Sequence, residues 1–222
     1  MTGDAQEKQW LFTDSQKEKP VHPRIAFADW LTDTSHGAGH LLARVMVNRM
    51  WHHHFGRGIV ETPSDFGTQG FRPTHPALLD YLATQLIENN WNLKPIHKLI
   101  MQSSVYRESG ASNASGMEHD PENHLWWRRP ALRMDAEVIR DHLLAVSGTL
   151  DPKMFGPGTL KQEDKRRSIY LTVKRDKLIP ILQLFDAPDA IQSIGKRNVT
   201  TVPPQALAMM NSPFIRKLAE EF

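Results

Sequence analysis

The sequence predicts a mainly α protein, an irregular multi-helix domain with long ordered loops and at most a minor β element. Three observations carry that expectation. Apolar residues recur at three- and four-residue intervals through most segments. Proline opens and glycine closes several of those segments. Only one short run, SIYLTV at 168–173, has strand character, and it has no evident partner. At 222 residues the chain is long enough for one compact unit or two small ones.

Residues 1–23 are mostly polar, with two aromatics, Trp10 and Phe12, and read as a flexible lead-in or interdomain strap. Pro23 precedes a short helix over 24–31, with Ile25, Phe27 and Trp30 as its apolar mass. A longer helix is expected over 37–55, because Leu41, Leu42, Val45, Met46 and Met50 recur at helical spacing and Gly56 and Gly58 stop it. Residues 56–74 are glycine-rich and aperiodic, an ordered loop. Thr74 is the expected N-cap of the next helix, with Pro76 in its first turn and Leu78, Leu79, Leu82, Leu86 and Ile87 along one side. That helix ends near Asn89 and Asn90, and another begins near Lys94 and Pro95, carrying Ile96, Leu99 and Ile100, with Val105 extending the pattern. So short a link makes the two an antiparallel hairpin.

The breaker-rich stretch 108–122 is the best internal boundary or a surface excursion. Periodicity resumes over 132–146 with Met134, Val138, Ile139 and Leu143, and Gly148 is the stop. Residues 149–167 form a loop, 168–173 the strand candidate, and 178–185 a turn or two of helix. Pro203 and Pro204 open a helix through Met210, and Ser212 and Pro213 repeat the cap-then-proline order. The last helix breaks off over 217–222, which reads as the truncated edge of an excised region.

Composition narrows the chemistry. Without cysteine the chain can form no disulfide, Cys-ligated zinc site, iron–sulfur cluster, thiol nucleophile or covalent c-type haem attachment. The formal net charge is only +2, and the densest basic excess is KQEDKRRSIYLTVKRDK at 161–177. A solvated face is the preferred reading of that run and an acidic-partner surface the second. Its interspersed acids and single aromatic argue against specific nucleic-acid recognition. No run has the length of a membrane span, and the polar start lacks the order of an export signal.

One set of blocks carries a family resemblance. NRMWHHHFGRGIVETPSDFG at 48–67 and RPTHPALLDYLA at 72–83 resemble the signature of the planctomycete-type DUF1553 (PSD1) domain. RRPALRMDAEVIRDHLLAVSG at 128–148, RSIYLTVKRD at 167–176 and LFDAPDAIQSIGKRNVTTVPPQALAMMNSPF at 184–214 follow in the family's order, so the resemblance spans about 24–216. It implies a domain of a larger exported bacterial polypeptide, accompanied by DUF1549 and often by a cytochrome-c-like domain. It also implies a periplasmic or cell-envelope location and a link to polysaccharide use. It brings no catalytic residues with it.

Side chains able to carry chemistry fall into four groups. Trp51, His52, His53, His54 and Phe55 form the first. Imidazoles can ligate a metal or move protons, but consecutive helical positions point about 100° apart, so three cannot share one ion. One of them can meet His40, His75 or His97 in space, with Glu61, Asp65 or Asp80 completing a site. No metal site is assigned, because no HExxH-like spacing occurs, and a noncatalytic polar network is preferred over a transition-metal site. Arg44, Asn48 and His52 line one helical row, and Arg49, Arg57 and Arg72 extend it toward the glycine-rich loop. These arginines either border a pocket for a carboxylate or sulfate, or pair internally with acids such as Asp65 and Asp80.

The third group is Arg133, Glu137, Arg140 and Asp141, whose spacings place Arg133 and Arg140 beside Glu137 on one helix, a structural salt network. Its two acids could also serve as acid and base. The same group takes in Asp186, Asp189 and Arg197 as a turn network, with calcium ligation or catalysis as alternatives and Gln205 nearby as a structural amide. In the fourth group, Trp126 and Trp127 offer ring faces to a core, another domain or a sugar.

The reading that joins these expectations is a structural or interaction module of a larger exported envelope protein, with DUF1549 or other domains of the same polypeptide as partners and carbohydrate as a possible ligand. The alternative is a hydrolase-like domain acting on a carbohydrate or sulfated substrate. There, His52, Asp65 and His75 are the base or metal candidates, and Arg49 and Arg72 contact anionic groups.

Overall fold

A computed structural model describes residues 22–222, so most of the lead-in expected over 1–23 lies outside the described residues. The fold is mainly helical, and among the described residues strand pairing is confined to isolated bridges. The chain divides into two compact units, Met1–Ala131 and Leu132–Phe222. The breaker-rich 108–122 stretch therefore lies inside the first unit, and the division follows Ala131.

The first unit contains α1 (Pro23–Thr32), α2 (Gly39–Phe55), α3 (Pro76–Glu88), α4 (Leu93–Gln102), α5 (Ser104–Arg107) and α6 (Ala114–His119). Its core is built on α2. Ala43, Val47, Met50, Trp51 and Phe55 recur at four-, three- and one-residue steps and pack against Leu79, Leu82, Ala83 and Leu86 of α3 and Ile96 and Ile100 of α4. Each fully buried Leu or Ile contributes about 1.5–3 kcal/mol. Of the expected stripe Leu41, Leu42, Val45, Met46 and Met50, Met50 is buried and Met46 packs against the core, so the inward face overlaps that stripe at its C-terminal end. Leu41 is exposed, because the face carrying the bulk of Trp51 and Phe55 is the one that turns inward, and Ala43 is small enough to bring α3 close.

Three local expectations are corrected here. The N-cap of α3 is His75 and not Thr74, whose N–H and hydroxyl both donate to the Ile59 carbonyl and tie the preceding loop. In α1, Ile25, Phe27 and Trp30 face outward, and only Ala26 is buried. The Val105 extension of α4 is separate: Ser103 ends α4, and its side chain caps α5.

The second unit contains α7 (Ala136–Val146), a 3₁₀ turn at Ser168–Tyr170, α8 (Pro180–Leu184), α9 (Pro203–Asn211) and α10 (Pro213–Glu221). Ala136 and Leu144 of α7 pack with Leu171, Ile179, Ile181 and Phe185, and with Phe214, Ile215 and Leu218 of α10. The inward row of α7 is Ala136, Arg140 and Leu144, while Val138 and Met134 of the expected stripe are exposed. The expected strand at 168–173 is a 3₁₀ turn followed by one parallel bridge, Thr159 to Leu171. It has β-branched residues but no neighbouring strand to accept a ladder. Among the described residues no helix is long and apolar enough to cross a membrane.

Candidate functional site

In the first unit, the glycine-rich loop is held by α2 through one amide. Asn48 is fully buried; its Oδ1 accepts the Val60 N–H at 2.8 Å and its Nδ2 donates to the Val60 carbonyl at 3.0 Å. A Cβ on Gly58 would lie 2.7 Å from Asn48 Nδ2 and 2.5 Å from the Val60 carbonyl oxygen, so only glycine admits this approach. Asn48 is thus a clamp, with both ends of its amide occupied.

Arg57 lies beyond the helix end, where Gly56 is left-handed (φ 75°). It donates to the carbonyls of Glu122 and Asn123 at 3.0 and 2.6 Å and lies over the Trp126 ring at 5.2 Å. Its Nε is 3.1 Å from Glu61 Oε1, an ion-pair distance without hydrogen-bond alignment. Trp126 is 5% exposed and packs edge-on against Trp51, which places it in the core. Trp127 donates from Nε1 to the Asp120 carbonyl at 2.7 Å and lies under Arg128. Both tryptophans serve the core and the loop.

Among the three consecutive histidines, His54 meets another helix. Its Nε2 lies 2.9 Å from His97 Nδ1 of α4, with the Tyr106 ring edge-on at 5.5 Å. Arg129 stacks on Tyr106, 3.9 Å from the ring centroid, and donates to the carbonyls of Tyr106 and His54. The second bond complements the negative end of α2. Burial, and then the positive charge of His97, Arg129 and His53, hold the His54 pKa below its ordinary 6.5.

The other nominated residues of this unit are distributed. Arg44 pairs with Asp80 at 2.7 Å on the surface. Asp65 accepts the Gly67 N–H at 2.8 Å within its own turn, and His75 Nδ1 bonds the Thr74 hydroxyl at 3.0 Å. Arg49 and Arg72 are exposed and His52 is half-buried. Among the described residues no group of three or more His, Asp or Glu is placed to hold a metal.

Sequence reasoning missed Asp120 and Asn123. The Asp120 carboxylate accepts the N–H groups of His124 and Leu125 at 2.9 and 2.7 Å. Burial opposes its charge, but these two bonds outweigh it and hold the pKa below the usual carboxylate value. The side chain of Asn123 bonds Arg128 through both its carbonyl and its amide. The signal available was the Asp-Pro-x-Asn run, whose residues favour such side-chain-to-backbone turns.

In the second unit the charged residues pair differently from the helix spacing. Arg140 is fully buried and is the hub of the 149–167 loop. It donates to the carbonyls of Gln162, Asp164 and Arg166 and to the Ser168 hydroxyl. Asp141, 3.6 Å from Arg140, accepts from the N–H and hydroxyl of Ser168. Glu137 pairs with neither Arg133 nor Arg140. It receives both guanidinium nitrogens of Arg197 at 2.7 and 3.1 Å, which holds its pKa low even though burial opposes the charge. Glu137 and Asp141 therefore have separate partners and form no acid–base pair.

Arg133 instead reaches Asp186 at 3.1 Å. Asp186, itself left-handed (φ 64°), also accepts from the N–H and hydroxyl of Thr200. Those bonds, led by the Thr200 N–H, keep its carboxyl below the usual range. Gln205 closes the junction, donating to the Leu184 carbonyl at 3.0 Å and accepting the Val202 N–H at 3.2 Å. Arg197 goes to Glu137, with Asp135 at 3.8 Å, and Asp189 is exposed beside a cavity of about 260 Å³. Leu171, Leu178, Ile179 and Leu182 wall that cavity, with Lys174, Lys177 and the Glu137–Arg197 pair around them.

The chain belongs to the PSD1 family, described as proteins of unknown function (DUF1553), whose sequence model matches residues 23–222. None of the curated proteins and none of the solved structures matches it.

Proposed function

We propose that this PSD1-family chain is a noncatalytic interaction module of a larger exported envelope protein. It positions neighbouring domains of the same polypeptide, the DUF1549 region first among them, in a setting connected with polysaccharide use. One observation supports the reading: the direction in which the two kinds of side chain face. Arg57, Arg129, Arg133 and Arg140 are engaged by the chain's own carbonyls and carboxylates. By contrast, Ile25 and Phe27 of α1 are 54% and 59% exposed. Outward apolar side chains on a helix are suited to burial against a partner.

The test is coexpression of the chain with the DUF1549 region, followed by calorimetry. Saturable binding is expected, weakened about tenfold or more by Ile25→Glu with Phe27→Glu, because two apolar anchors are replaced by charges. Absence of binding, or binding indifferent to that double substitution, defeats the partner role. A panel of sulfated and neutral glycans run in parallel tests the hydrolase alternative. Turnover abolished by a single substitution at His52, Asp65 or His75, with folding preserved, would replace the noncatalytic reading.

A further inference from the structure

We infer that the cavity of the second unit binds a small amphiphilic monoanion, an apolar chain or ring with a negatively charged head. The cavity has a volume of about 260 Å³. Its wall is apolar, formed by Leu171 and Ile179 of the core and by the half-buried Leu178 and Leu182. Such a wall takes the hydrocarbon part of a ligand and leaves orientation to a few polar groups.

Those groups are set by the turn at Arg175 and Asp176. Lys174 and Lys177 face each other across it in an antiparallel bridge, and both line the cavity. Residues directly opposite in an antiparallel pair project to the same side, and like charges there repel. Neither ammonium has an ion-pair or hydrogen-bond partner among the described residues. The third cation of the lining, Arg197, is already neutralised by the bidentate Glu137, and Asp189 supplies one further acid. The lining thus carries one net positive charge, at the lysine pair. An anion seated between the two ammoniums relieves their repulsion, while its apolar part lies against the leucines. The basic excess at 161–177 divides accordingly. Arg166 is bound to the carbonyls of Phe155 and Pro157, and the two lysines remain available.

Isothermal titration of the full chain with octanoate, 1-octanol and octylammonium tests the site. Octanoate is expected to bind saturably, with Kd on the order of 1 mM or tighter. It should bind more tightly than octanol and weaken with added salt, whereas octanol binding is salt-independent. Lys174→Glu with Lys177→Glu, both on exposed side chains, should weaken octanoate about tenfold and favour octylammonium. Leu182→Trp, which fills the cavity, should remove octanoate binding. If that variant loses its helical circular dichroism, the lysine variant alone decides. The proposal is overturned by absence of saturable octanoate binding, by equal affinity for octanoate and octylammonium, or by an unchanged affinity in the lysine variant.

Discussion

Asn48 is the residue on which the first loop depends. Its amide satisfies both polar groups of Val60, which is itself buried, so no water can replace it without opening the loop. Asn48→Ala leaves a buried N–H and a buried C=O without partners, at about 1–3 kcal/mol each. A loss of about 2–6 kcal/mol in urea unfolding is therefore expected. A loss below about 1 kcal/mol, within the range of an ordinary surface change, would show that the clamp contributes little. Arg140 does the same for the second unit with a charge in place of an amide. Its guanidinium has enough donors to hold three carbonyls and a hydroxyl at once, which lysine could not match geometrically. Helix spacing could not reveal that arrangement, because the partners are carbonyls 22 to 26 residues away and a hydroxyl 28 residues away. The same limit applies to Glu137, whose spacing suggested Arg133 and Arg140 but whose partner, Arg197, is 60 residues distant.

At the scale of elements, helix positions were legible and helix faces less so. Proline and glycine punctuation placed α2, α3 and α9 to within a few residues, because those signals act locally on backbone geometry. Which face turns inward depends on the partner. On α2 the aromatic pair Trp51 and Phe55 prevailed over Leu41, and on α7 the carbonyls awaiting Arg140 prevailed over Val138. The contact between α2 and α4 adds a pH dependence at His54. With the folded pKa of His54 below 6.5, the unfolded chain binds a proton that the fold resists. The contribution to stability is complete above 6.5 and is lost as pH falls from there through the folded value. Thermal melts between about pH 7.5 and 5.5 should show a smaller decline for His54→Gln than for the parent chain. An equal decline in both would remove His54 as the source.

At the scale of the whole molecule, the two cores are assembled from different residues. Every buried member of one lies between Ala43 and Trp126, and every member of the other between Ala136 and Leu218. The sequence suggested a boundary or a surface excursion at 108–122, where composition changes. The physical division instead follows Ala131, because Arg129 still donates its N–H to Ser109 and its guanidinium to Tyr106, tying that strand of chain to the first unit. Two cores predict two separable responses to cavities. Leu86→Ala and Leu144→Ala each remove a fully buried side chain, at about 2–5 kcal/mol. Hydrogen exchange read by mass spectrometry should then rise over α2, α3 and α4 for the first substitution and leave α7 unchanged. The second should accelerate exchange over α7 and the 159–171 segment and leave α3 unchanged, since opening propagates within a cooperative unit. Acceleration spread over both cores by either substitution would mean that they open as one unit, and the division at Ala131 would then have no energetic counterpart.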